Sequence, residues 1–374
     1  MNRRDLLIGA GYSLSMLGLA SCSAIPKATL NKQSRYAHYK PLISSMDRVT
    51  HSVVGLRPFR PQGYRLESEP LGNKTIVHNY GHGGGGITLS WGTSIIAAQL
   101  ASQPMARDIA VLGSGVMGLT TALLLAQQGF KVTIYAKDFP PNTTSNIAAA
   151  LWLPSSYFDR KVATSQFLTR DKPIIRGSFS RFLTYVNRPR YGVYWNNYHL
   201  LLPQVRDSIR TLPGGNDLYP ELATSTEDNL FGYPYQSYMK ALIIDPMLYL
   251  PAILQDAQRS GTKLKYLQFK SVEDVLSLQE SVIVNCTGLG ASTLFGDTSM
   301  YPIQGQLTHL LPQPEVNYSY VVPTPEGYLY MFPRKGSIVI GGTAIKRAFD
   351  TKPNDQLTLS MVRDHAALAK KLTA

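Results

Sequence analysis

The sequence predicts an α/β fold (α+β overall), with a Rossmann-like nucleotide-binding domain and a second domain on a large mixed or antiparallel sheet. Two observations support this prediction. Residues 109–136 have the order strand, glycine-rich turn, helix and strand, which is typical of a βαβ unit. Residues 301–342 alternate in the manner of antiparallel sheet. At 374 residues, the chain is long enough for two interleaved or sequential domains.

The βαβ unit is predicted by its apolar pattern and its glycines. Residues 109–112 form a short buried strand, and residues 131–136 form the next parallel strand. Residues 116–128 between them predict a helix, and Gly129 is placed to end it. The segment has the length expected of a βαβ unit.

The segments around this unit are predicted from patterning and composition. Residues 74–78 form a strand leading into a glycine run, and Thr88 is predicted to cap the helix that follows. Pro104 stops that helix. Residues 157–253 are rich in Tyr, Pro and Arg and indicate a substrate-side region of short elements. Residues 355–372 predict a final helix.

Composition restricts the classes of partner. Charged residues make up 16% of the chain, and the net charge of +13 comes more from a shortage of acids than from a basic tract. A positive face of this kind could contact an anionic membrane or attract anionic solutes. No basic stripe with interleaved aromatic residues follows a known module, so nucleic-acid binding is not predicted. A solvated basic surface is the simplest interpretation.

The two cysteines exclude a disulfide framework. Cys286 lies in an apolar run and is predicted to be a small buried side chain. Cys22 ends the sequence LASC, which resembles a lipoprotein processing box whose thiol becomes lipidated. Residues 6–20 before it are modestly apolar, too short for a confident membrane span, and follow Arg3 and Arg4.

We therefore expect an exported protein that a lipid on Cys22 anchors to the periplasmic or extracytoplasmic side of a membrane. Residues 2–7 (NRRDLL) resemble a twin-arginine signal, a route that carries folded proteins. An ordinary secretory signal with a chance arginine pair is the alternative. Residues 23–40 are polar and lack periodicity, which predicts a tether.

Residues 113–118 (GSGVMG) follow a strand and open a helix, which is the context of a dinucleotide-binding loop. The three glycines allow a tight turn, close approach to a pyrophosphate and packing of helix on strand, while the helix N-terminus faces the phosphate charge. Asp138 lies near the position where an acid binds the ribose, displaced by one residue. The loop residues expected to bind the cofactor are Gly113, Gly115, Val116, Met117 and Gly118. The loop by itself does not separate NAD from FAD.

Four further stretches resemble one flavoenzyme family, the D-amino acid and D-aspartate oxidases. Residues 143–152 (TTSNIAAALW) are similar to its TTxxxAAGLW segment, and residues 285–288 (NCTG) to its second flavin-contacting turn. Residues 78–86 (HNYGHGGGG) are similar to its glycine run, and residues 55–61 (GLRPFRP) to its GxRPxRP. The matches span nearly the whole chain after the tether.

The order of these stretches differs from that of the family. In the family the glycine run lies near the C-terminus and the nucleotide-binding loop near the N-terminus, whereas here the order is inverted. The chain therefore resembles a circular permutation, in which residues 104–108 join the two parts. The new ends, near Pro41 and Leu372, should then lie close together on the surface.

The resemblance implies FAD as the cofactor and no metal. It implies a discontinuous FAD-binding domain at residues 41–155 and 261–300, and a substrate-binding domain at residues 156–260 and 301–374. Residues 1–22 are the export signal.

The resemblance also implies which residues hold the flavin. The glycine run lets the backbone approach a planar ring, and the following helix points its positive end at the ring edge that becomes negative on reduction. Ala150 stands where the family has a glycine. The matching positions are Thr143, Thr144, Ala149, Ala150, Leu151, Thr287, Gly83, Gly84, Gly86, Ile87 and Thr88.

The catalytic positions follow from the same resemblance. Arg57 would grip the substrate α-carboxylate through two parallel hydrogen bonds, which a lysine cannot copy. The Tyr330 hydroxyl would assist at that carboxylate, and the Gly84 carbonyl would accept the substrate amine. Tyr328 is either a second family tyrosine or an ordinary strand residue. Arg60 is expected to be structural.

The implied activity is oxidative deamination of D-amino acids to 2-oxo acids and ammonia, by hydride transfer from the α-carbon to flavin N5. Oxygen is the expected acceptor, with hydrogen peroxide as the product. One alternative is a membrane-tethered dehydrogenase that passes electrons to a quinone or carrier. Another is a flavin-binding surface protein without turnover. A homodimer is a possible assembly.

The sequence does not decide whether the substrate carries a neutral or an acidic side chain. Gly85 stands where many neutral-specific members carry a tyrosine, and together with residues 55–57 (GLR) and 341–343 (GGT) it favours the D-aspartate branch. Ala344 stands where that branch has an arginine that pairs with the distal carboxylate. Arg334 or Lys335 could replace that arginine, and on balance the sequence favours neutral substrates.

Overall fold

The computed structural model describes residues 38–103, 107–149, 151–203, 212–226, 230–324 and 327–372. The chain from Tyr39 onward forms one compact unit. The expected export signal with Cys22, most of the tether, Pro104 and Ala150 lie outside the described residues. None of the described helices combines the length and hydropathy of a membrane span.

The smaller of two sheets has six strands in the described part of the chain. These are β2 (Arg65–Leu71), β3 (Lys74–Tyr80), β4 (Asp108–Leu112), β5 (Lys131–Ala136), β9 (Lys263–Tyr266) and β10 (Val282–Asn285). Strands β3, β10, β4, β5 and β9 are parallel neighbours in that order, and β2 pairs antiparallel with β3 at one edge. Because β4 and β5 are parallel neighbours, the predicted strands of the βαβ unit are confirmed. In parallel sheets of this kind, ligands bind beyond the carboxyl ends of the strands.

Two helices pack against each other and against this sheet: α1 (Gly86–Ala101) and α2 (Val116–Gln127). Both are buried on nearly all sides, in agreement with sequences that are uncharged throughout and mostly apolar or small. Gly129 follows α2 with φ of +91°, in agreement with its predicted role at the helix end.

The prediction that Thr88 caps α1 is wrong. Gly85 holds the N-cap position without a side-chain hydrogen bond, so the helix begins before Thr88. The Thr88 hydroxyl donates instead to the Gly85 carbonyl at 2.9 Å. The glycine run already supplies the turn into the helix, so no capping side chain is needed.

The larger sheet has nine strands among the described residues. These are β1 (Val49–Phe59), β6 (Val193–Leu202), β7 (Ala223–Ser225), β8 (Tyr235–Ile244), β11 (Tyr301–Leu310), β12 (Tyr318–Thr324), β13 (Gly327–Pro333), β14 (Ile338–Gly341) and β15 (Ile345–Lys346). Their order is β1-β11-β14-β13-β12-β6-β8-β7, and β15 pairs with β11. Strands β12 and β6 are parallel and the other pairs antiparallel, so the sheet is mixed.

The expectation of short elements in residues 157–253 is wrong. This region contains the 19-residue helix α3 (Ser165–Leu183), the 14-residue helix α4 (Pro246–Arg259) and the ten-residue strands β6 and β8. Pro173 lies inside α3 and Pro251 inside α4. Because proline usually breaks helices, these residues concealed both helices in the sequence.

The other α-helices in the described ranges are α5 (Val272–Leu276), α6 (Gly290–Phe295) and α7 (Asp355–Lys370), of which α7 was predicted. The segment before β1 contacts α7, where the Ser44 hydroxyl donates to the Val362 carbonyl at 2.9 Å. The segment near residue 44 therefore packs against the middle of this last helix. Strand β1 belongs to the nine-stranded sheet. The division of the chain into an FAD-binding domain and a substrate-binding domain stays a prediction.

Candidate functional site

A cavity of about 1640 Å³ is lined by residues of both sheets. It reaches the carboxyl ends of β3, β4, β5 and β10, and the face formed by β1, β11, β12 and β13. All expected site residues line it except Gly118 and Ala150, the latter outside the described residues. Those that line it are Arg57, Gly83, Gly84, Gly86, Ile87, Thr88, Gly113, Gly115, Val116, Met117, Asp138, Thr143, Thr144, Ala149, Leu151, Thr287, Tyr328 and Tyr330.

The loop after β4 requires its first and third glycines. Gly113 has φ of +97°, and a Cβ there would lie 2.5 Å from the Cys286 carbonyl oxygen. A Cβ on Gly118 would lie 1.9 Å from the Gly113 carbonyl oxygen. Gly118 therefore shapes the loop from behind, by close packing of α2, without lining the cavity.

The N-terminus of α2 opens into the cavity. The Val116 N–H donates to the Ser145 hydroxyl at 3.0 Å, and a Cβ on Gly115 would lie 3.1 Å from that same oxygen. Gly115 therefore leaves room for the backbone and Ser145 to meet at the helix end. Helix N-termini carry partial positive charge, so this position suits a phosphate.

Asp138 lies two residues beyond the end of β5 and lines the cavity. The Ser114 hydroxyl donates to the Asp138 carbonyl, which ties this segment to the glycine loop. The Asp138 carboxylate is half-exposed and 3.8 Å from the Lys137 ammonium. The side chain therefore remains accessible to a ligand hydroxyl.

A buried hydrogen-bond chain orients Thr287. Its N–H and hydroxyl both donate to the Asn285 side-chain oxygen, at 3.1 and 2.7 Å. The Asn285 amide bonds His78 Nδ1 at 3.1 Å, and His78 Nε2 bonds Glu69 at 2.9 Å. Burial lowers the pKa of His78, so the neutral ring accepts from Asn285 and donates to Glu69. Because the Thr287 hydroxyl uses its proton internally, it faces the cavity as an acceptor.

The segment after β5 is held from two sides. The Thr143 hydroxyl bonds the Asn146 side chain at 2.7 Å and starts a short 3₁₀ turn that includes Thr144. Arg334 donates through Nη2 to the Ala148 carbonyl, next to Ala149 in the cavity wall. These bonds fix the backbone where the resemblance places the flavin.

The glycine run packs against a strained serine. The Gly84 N–H donates to the Ser156 carbonyl at 2.8 Å, and a Cβ on Gly83 would lie 2.5 Å from that oxygen. Ser156 has φ of +55°, in the left-handed region that non-glycine residues rarely adopt. Backbone strain of this kind concentrates at functional sites. Ser155 and Ser156 both line the cavity.

Arg57 extends across the face of the nine-stranded sheet. Its guanidinium lies over Gly305, where a Cβ would be 2.4 Å from Nη2. Arg57 Nη1 donates to the Thr343 carbonyl at 3.4 Å. Arg57 forms no ion pair with an acid in the described segments of the chain. The guanidinium therefore retains donors for an external anion.

Tyr330 lies beside this arginine. Its ring covers Gly341, where a Cβ would be 2.6 Å from Cε2. The Tyr330 hydroxyl is buried beside the Arg57 guanidinium and donates to no acceptor among the described residues. Burial raises the pKa of Tyr330, and the nearby Arg57 and Arg334 cations partly oppose that rise. The hydroxyl is therefore a protonated donor that lacks an acceptor.

Tyr328 and Arg60 have different positions. Tyr328 lines the cavity but is 47% exposed, which suits a residue at its mouth. A Cβ on Gly342 would lie 1.6 Å from the Tyr328 carbonyl oxygen, so this glycine lets the strands approach closely. Arg60 pairs with Asp297 at 3.0 Å outside the cavity lining, as expected of a structural residue.

Neither basic residue considered for a distal carboxylate lines the cavity. Arg334 is buried behind the wall, and Lys335 is exposed at the turn after β13. Burial lowers the pKa of Arg334, and nearby Asp245 counters this effect. The expectation that Arg334 or Lys335 replaces the missing arginine is therefore not supported by their positions.

Several site residues were missed by the sequence reasoning. Gly305 makes room for Arg57, while Ser145 and Ser156 support the cofactor side. Gly341 was singled out only for substrate preference, and its part in making room for the Tyr330 ring was not foreseen. Isolated glycines in strands signal close approach of another group, and this signal was available in the alternating pattern. The serines carried no distinguishing signal.

The residues present fit FAD. The cavity continues from the N-terminus of α2 to the glycine run at the N-terminus of α1, so phosphates and a ring system would each meet a helix end. Bare backbone at Gly113 and Gly115 permits close approach. No group of three or more His, Cys, Asp or Glu residues that could hold a metal is found in the described part of the chain.

Comparison with known proteins identifies the relatives. The profile of the family "FAD dependent oxidoreductase" (DAO) matches residues 108–372. The chain is 29% identical over 267 residues to a D-amino-acid oxidase of Rubrobacter xylanophilus, covering 70% of this chain and 77% of that protein. It is 28% identical over 274 residues to the D-aspartate oxidase of Homo sapiens, covering 71% and 76%. A glycine oxidase structure from Geobacillus kaustophilus has a TM-score of 0.52 at 16% identity, over 71% of this chain and 79% of that one, a likeness of fold alone.

We expect the Gly113→Ala variant to lose FAD, because the new Cβ would lie 2.5 Å from the Cys286 carbonyl oxygen. Gly129→Ala is the matched control, since φ is +91° there and nothing lies within 4 Å of the new Cβ. Both carry the cost of left-handed backbone, about 1–2 kcal/mol. FAD content per purified chain is measured by visible absorbance, with circular dichroism to check folding. Equal FAD content in the two variants would contradict this assignment of the loop.

Proposed function

Because this chain belongs to the DAO family of FAD-dependent oxidoreductases, we propose that it oxidises D-amino acids to 2-oxo acids and ammonia. The observation that carries the proposal is the presence in one cavity of two donor groups, each with a hydrogen atom still available for an external acceptor. The Arg57 guanidinium has no acidic partner in the described segments, and the buried Tyr330 hydroxyl has no acceptor there. A carboxylate satisfies both, since it accepts from a guanidinium fork and a hydroxyl together.

Bound FAD supplies the oxidising power, because its ring can take a hydride from the substrate α-carbon. The chain supplies orientation. Arg57 and Tyr330 would hold the α-carboxylate on the strand face, while the Gly84 carbonyl would accept from the neutral amine. With the substrate held at its carboxylate and at its amine, the α-hydrogen would be positioned for transfer, and no acid–base side chain is required.

The burial of Tyr330 supports a role in binding the substrate and not in proton transfer. Tyr330 remains protonated because burial raises its pKa, so its hydroxyl can donate but does not act as a base near neutral pH. Hydrolysis of the imino acid after release requires only water. With oxygen as the acceptor, hydrogen peroxide forms, whereas a quinone or carrier defines the dehydrogenase alternative.

The D-aspartate and D-amino-acid oxidases among the relatives support the stereochemistry proposed here. A flavin-binding protein without turnover remains the alternative from another class. Cofactor binding alone does not need Arg57, since the residue lies over Gly305 on the far sheet and not in the glycine loop. The electron acceptor and a homodimeric assembly stay predictions.

We expect D-amino acids, but not L-amino acids, to bleach the visible absorbance of the purified holoprotein without oxygen. Restoration of the absorbance by air would identify oxygen as the acceptor, and a quinone analogue would test the dehydrogenase alternative. In Arg57→Ala the half-saturating substrate concentration should rise at least about a hundredfold, because a charge-assisted bidentate contact is lost. FAD content should be unchanged.

A matched glycine pair controls this experiment. Gly305→Ala places a Cβ 2.4 Å from the Arg57 guanidinium and should weaken substrate binding, whereas Gly336→Ala has nothing within 4 Å and should behave as the wild type. A protein that no amino acid bleaches would overturn the proposed activity. Normal kinetics of Arg57→Ala would overturn the clamp.

We further propose that the chain has the segments of its family in a circularly permuted order. The profile match begins at residue 108, yet residues 41–103 supply β1, β2, β3 and α1, which pair and pack with elements inside the match. The contact between Ser44 and Val362 supports the proximity of the two ends. A break near residue 104 and a link between those ends would restore the usual order.

A rearranged gene tests the permutation. We expect a chain that runs from residue 107 to 372, then through a short glycine–serine linker to residues 41–103, to fold and retain FAD. The buried contacts are unchanged by this reordering. A chain opened instead inside α4, with the same linker, is the control and should not fold. Loss of folding in both chains would contradict the proposal.

Export and lipid anchoring are also proposals, and they rest on residues 1–22 of the sequence. We expect expression in a bacterial host to yield a membrane-bound protein whose N-terminal peptide carries a diacylglycerol on Cys22. Cys22→Ala should move the protein out of the membrane fraction without altering the FAD content of the purified chain. An unmodified, soluble wild-type protein would exclude the anchor.

A further inference from the structure

Strands β14 and β15 both pair with β11, and the register of the second pairing is shifted by one residue relative to the first. On β11, Leu307 pairs with Gly341 of β14, and Ile303 pairs with Lys346 of β15. Four residue steps on β11 therefore face five steps on the other strand, which is a β-bulge. The bulge lies at residues 342–344.

The bulge is fixed by contacts at Thr343. Its hydroxyl accepts from the Gln306 N–H at 2.7 Å, and its carbonyl accepts from Arg57 Nη1 at 3.4 Å. Gly342 allows close approach to the Tyr328 carbonyl. The irregularity is therefore built into the same contacts that hold Arg57.

A one-residue shift of register exchanges the two faces of a strand. Without the bulge, Ile345 would share the cavity face; with it, Lys346 does. Arg57 pairs with Ile303 and Ile303 with Lys346, so the three side chains project from one face in a single row. All three line the cavity, whereas Ile345 does not.

Lys346 is a cation without an acidic partner in the described residues. Its strand lies two strand spacings from that of Arg57, or about 10 Å across the sheet. Ile303 separates the two side chains by an apolar surface. The Arg57 guanidinium lies over Gly305, two residues along β11 from Ile303, and the exposed Lys346 side chain stands on the other side of Ile303. The face thus carries a cation on each side of an apolar surface, which matches a molecule with two carboxylates joined by a short carbon chain.

From this row we infer that Lys346 binds the side-chain carboxylate of dicarboxylic D-amino acids, namely D-aspartate or D-glutamate. The inference rests on the proposed function, since Arg57 must hold the α-carboxylate. Lys346 takes the role for which the sequence offered Arg334 or Lys335, neither of which lines the cavity. It also differs from the neutral preference expected from Ala344. The lysine side chain is flexible and its ammonium can donate in several directions, so it can reach the side-chain carboxylate of either D-aspartate or D-glutamate.

The test compares substrates across variants of the holoprotein. In Lys346→Met we expect kcat/KM for D-aspartate and D-glutamate to fall at least about tenfold, the effect of losing a hydrogen bond to a charged group. The value for D-alanine should change by less than about twofold. Lys335→Met removes an exposed charge outside the cavity and should leave all three substrates unaffected.

A charge-conserving swap separates a specific contact from general attraction of anions. In Ile345→Lys with Lys346→Ile the net charge is unchanged, but the lysine moves to the other face. We expect this double variant to match Lys346→Met. Wild-type activity on the diacids in the double variant, or an equal loss for D-alanine in Lys346→Met, would overturn the inference.

The two proposals fail in different ways. Bleaching of the flavin by D-alanine, but by neither diacid, would overturn the role of Lys346 and leave the proposed function standing. Bleaching by no D-amino acid would overturn the proposed function and this inference with it. Diacid activity that depends on Lys346 would support both.

Discussion

The arrangement of the site depends on one guanidinium that lies on a sheet face without an acidic partner among the described residues. Arg57 can extend across β11 because residue 305 is a glycine, and a Cβ there would lie 2.4 Å from Nη2. A cation held in this way is unfavourable unless solvent or an anion pairs with it. The neighbouring Tyr330 hydroxyl is buried without an acceptor in the described part of the chain and adds a second donor at the same place. The cavity is therefore preorganised for a carboxylate.

The same constraint explains the strand glycines. Glycines weaken strands, so their presence in β11 and β14 has to be balanced by the groups they admit. Gly305 admits Arg57, and Gly341 admits the Tyr330 ring. The bulge after Gly341 then holds Arg57 through Thr343 and turns Lys346 toward the cavity. The carboxylate side of the site is thus a property of strand pairing more than of any one motif.

The cofactor side has a different physical basis. There the backbone itself makes the site, through helix N-termini and through glycines whose Cβ atoms would meet carbonyl oxygens. Hydrogen bonds behind the wall fix its turns, as Asn285 fixes Thr287 and Arg334 fixes the Ala148 carbonyl. Burial keeps His78 neutral, so it can accept from Asn285. This side was predictable because each motif is short and its geometry is local.

The sequence by itself therefore determined the βαβ unit, the mixed sheet, the FAD-binding family and most residues around the cavity. It misplaced the start of α1 because a glycine run can replace a cap, and it missed α3 and α4 because each contains a proline. Only the tertiary structure decided that Arg57, Ile303 and Lys346 form one row, since they come from three strands distant in sequence. A one-residue bulge sets which face Lys346 occupies, and register depends on long-range pairing that local pattern does not encode.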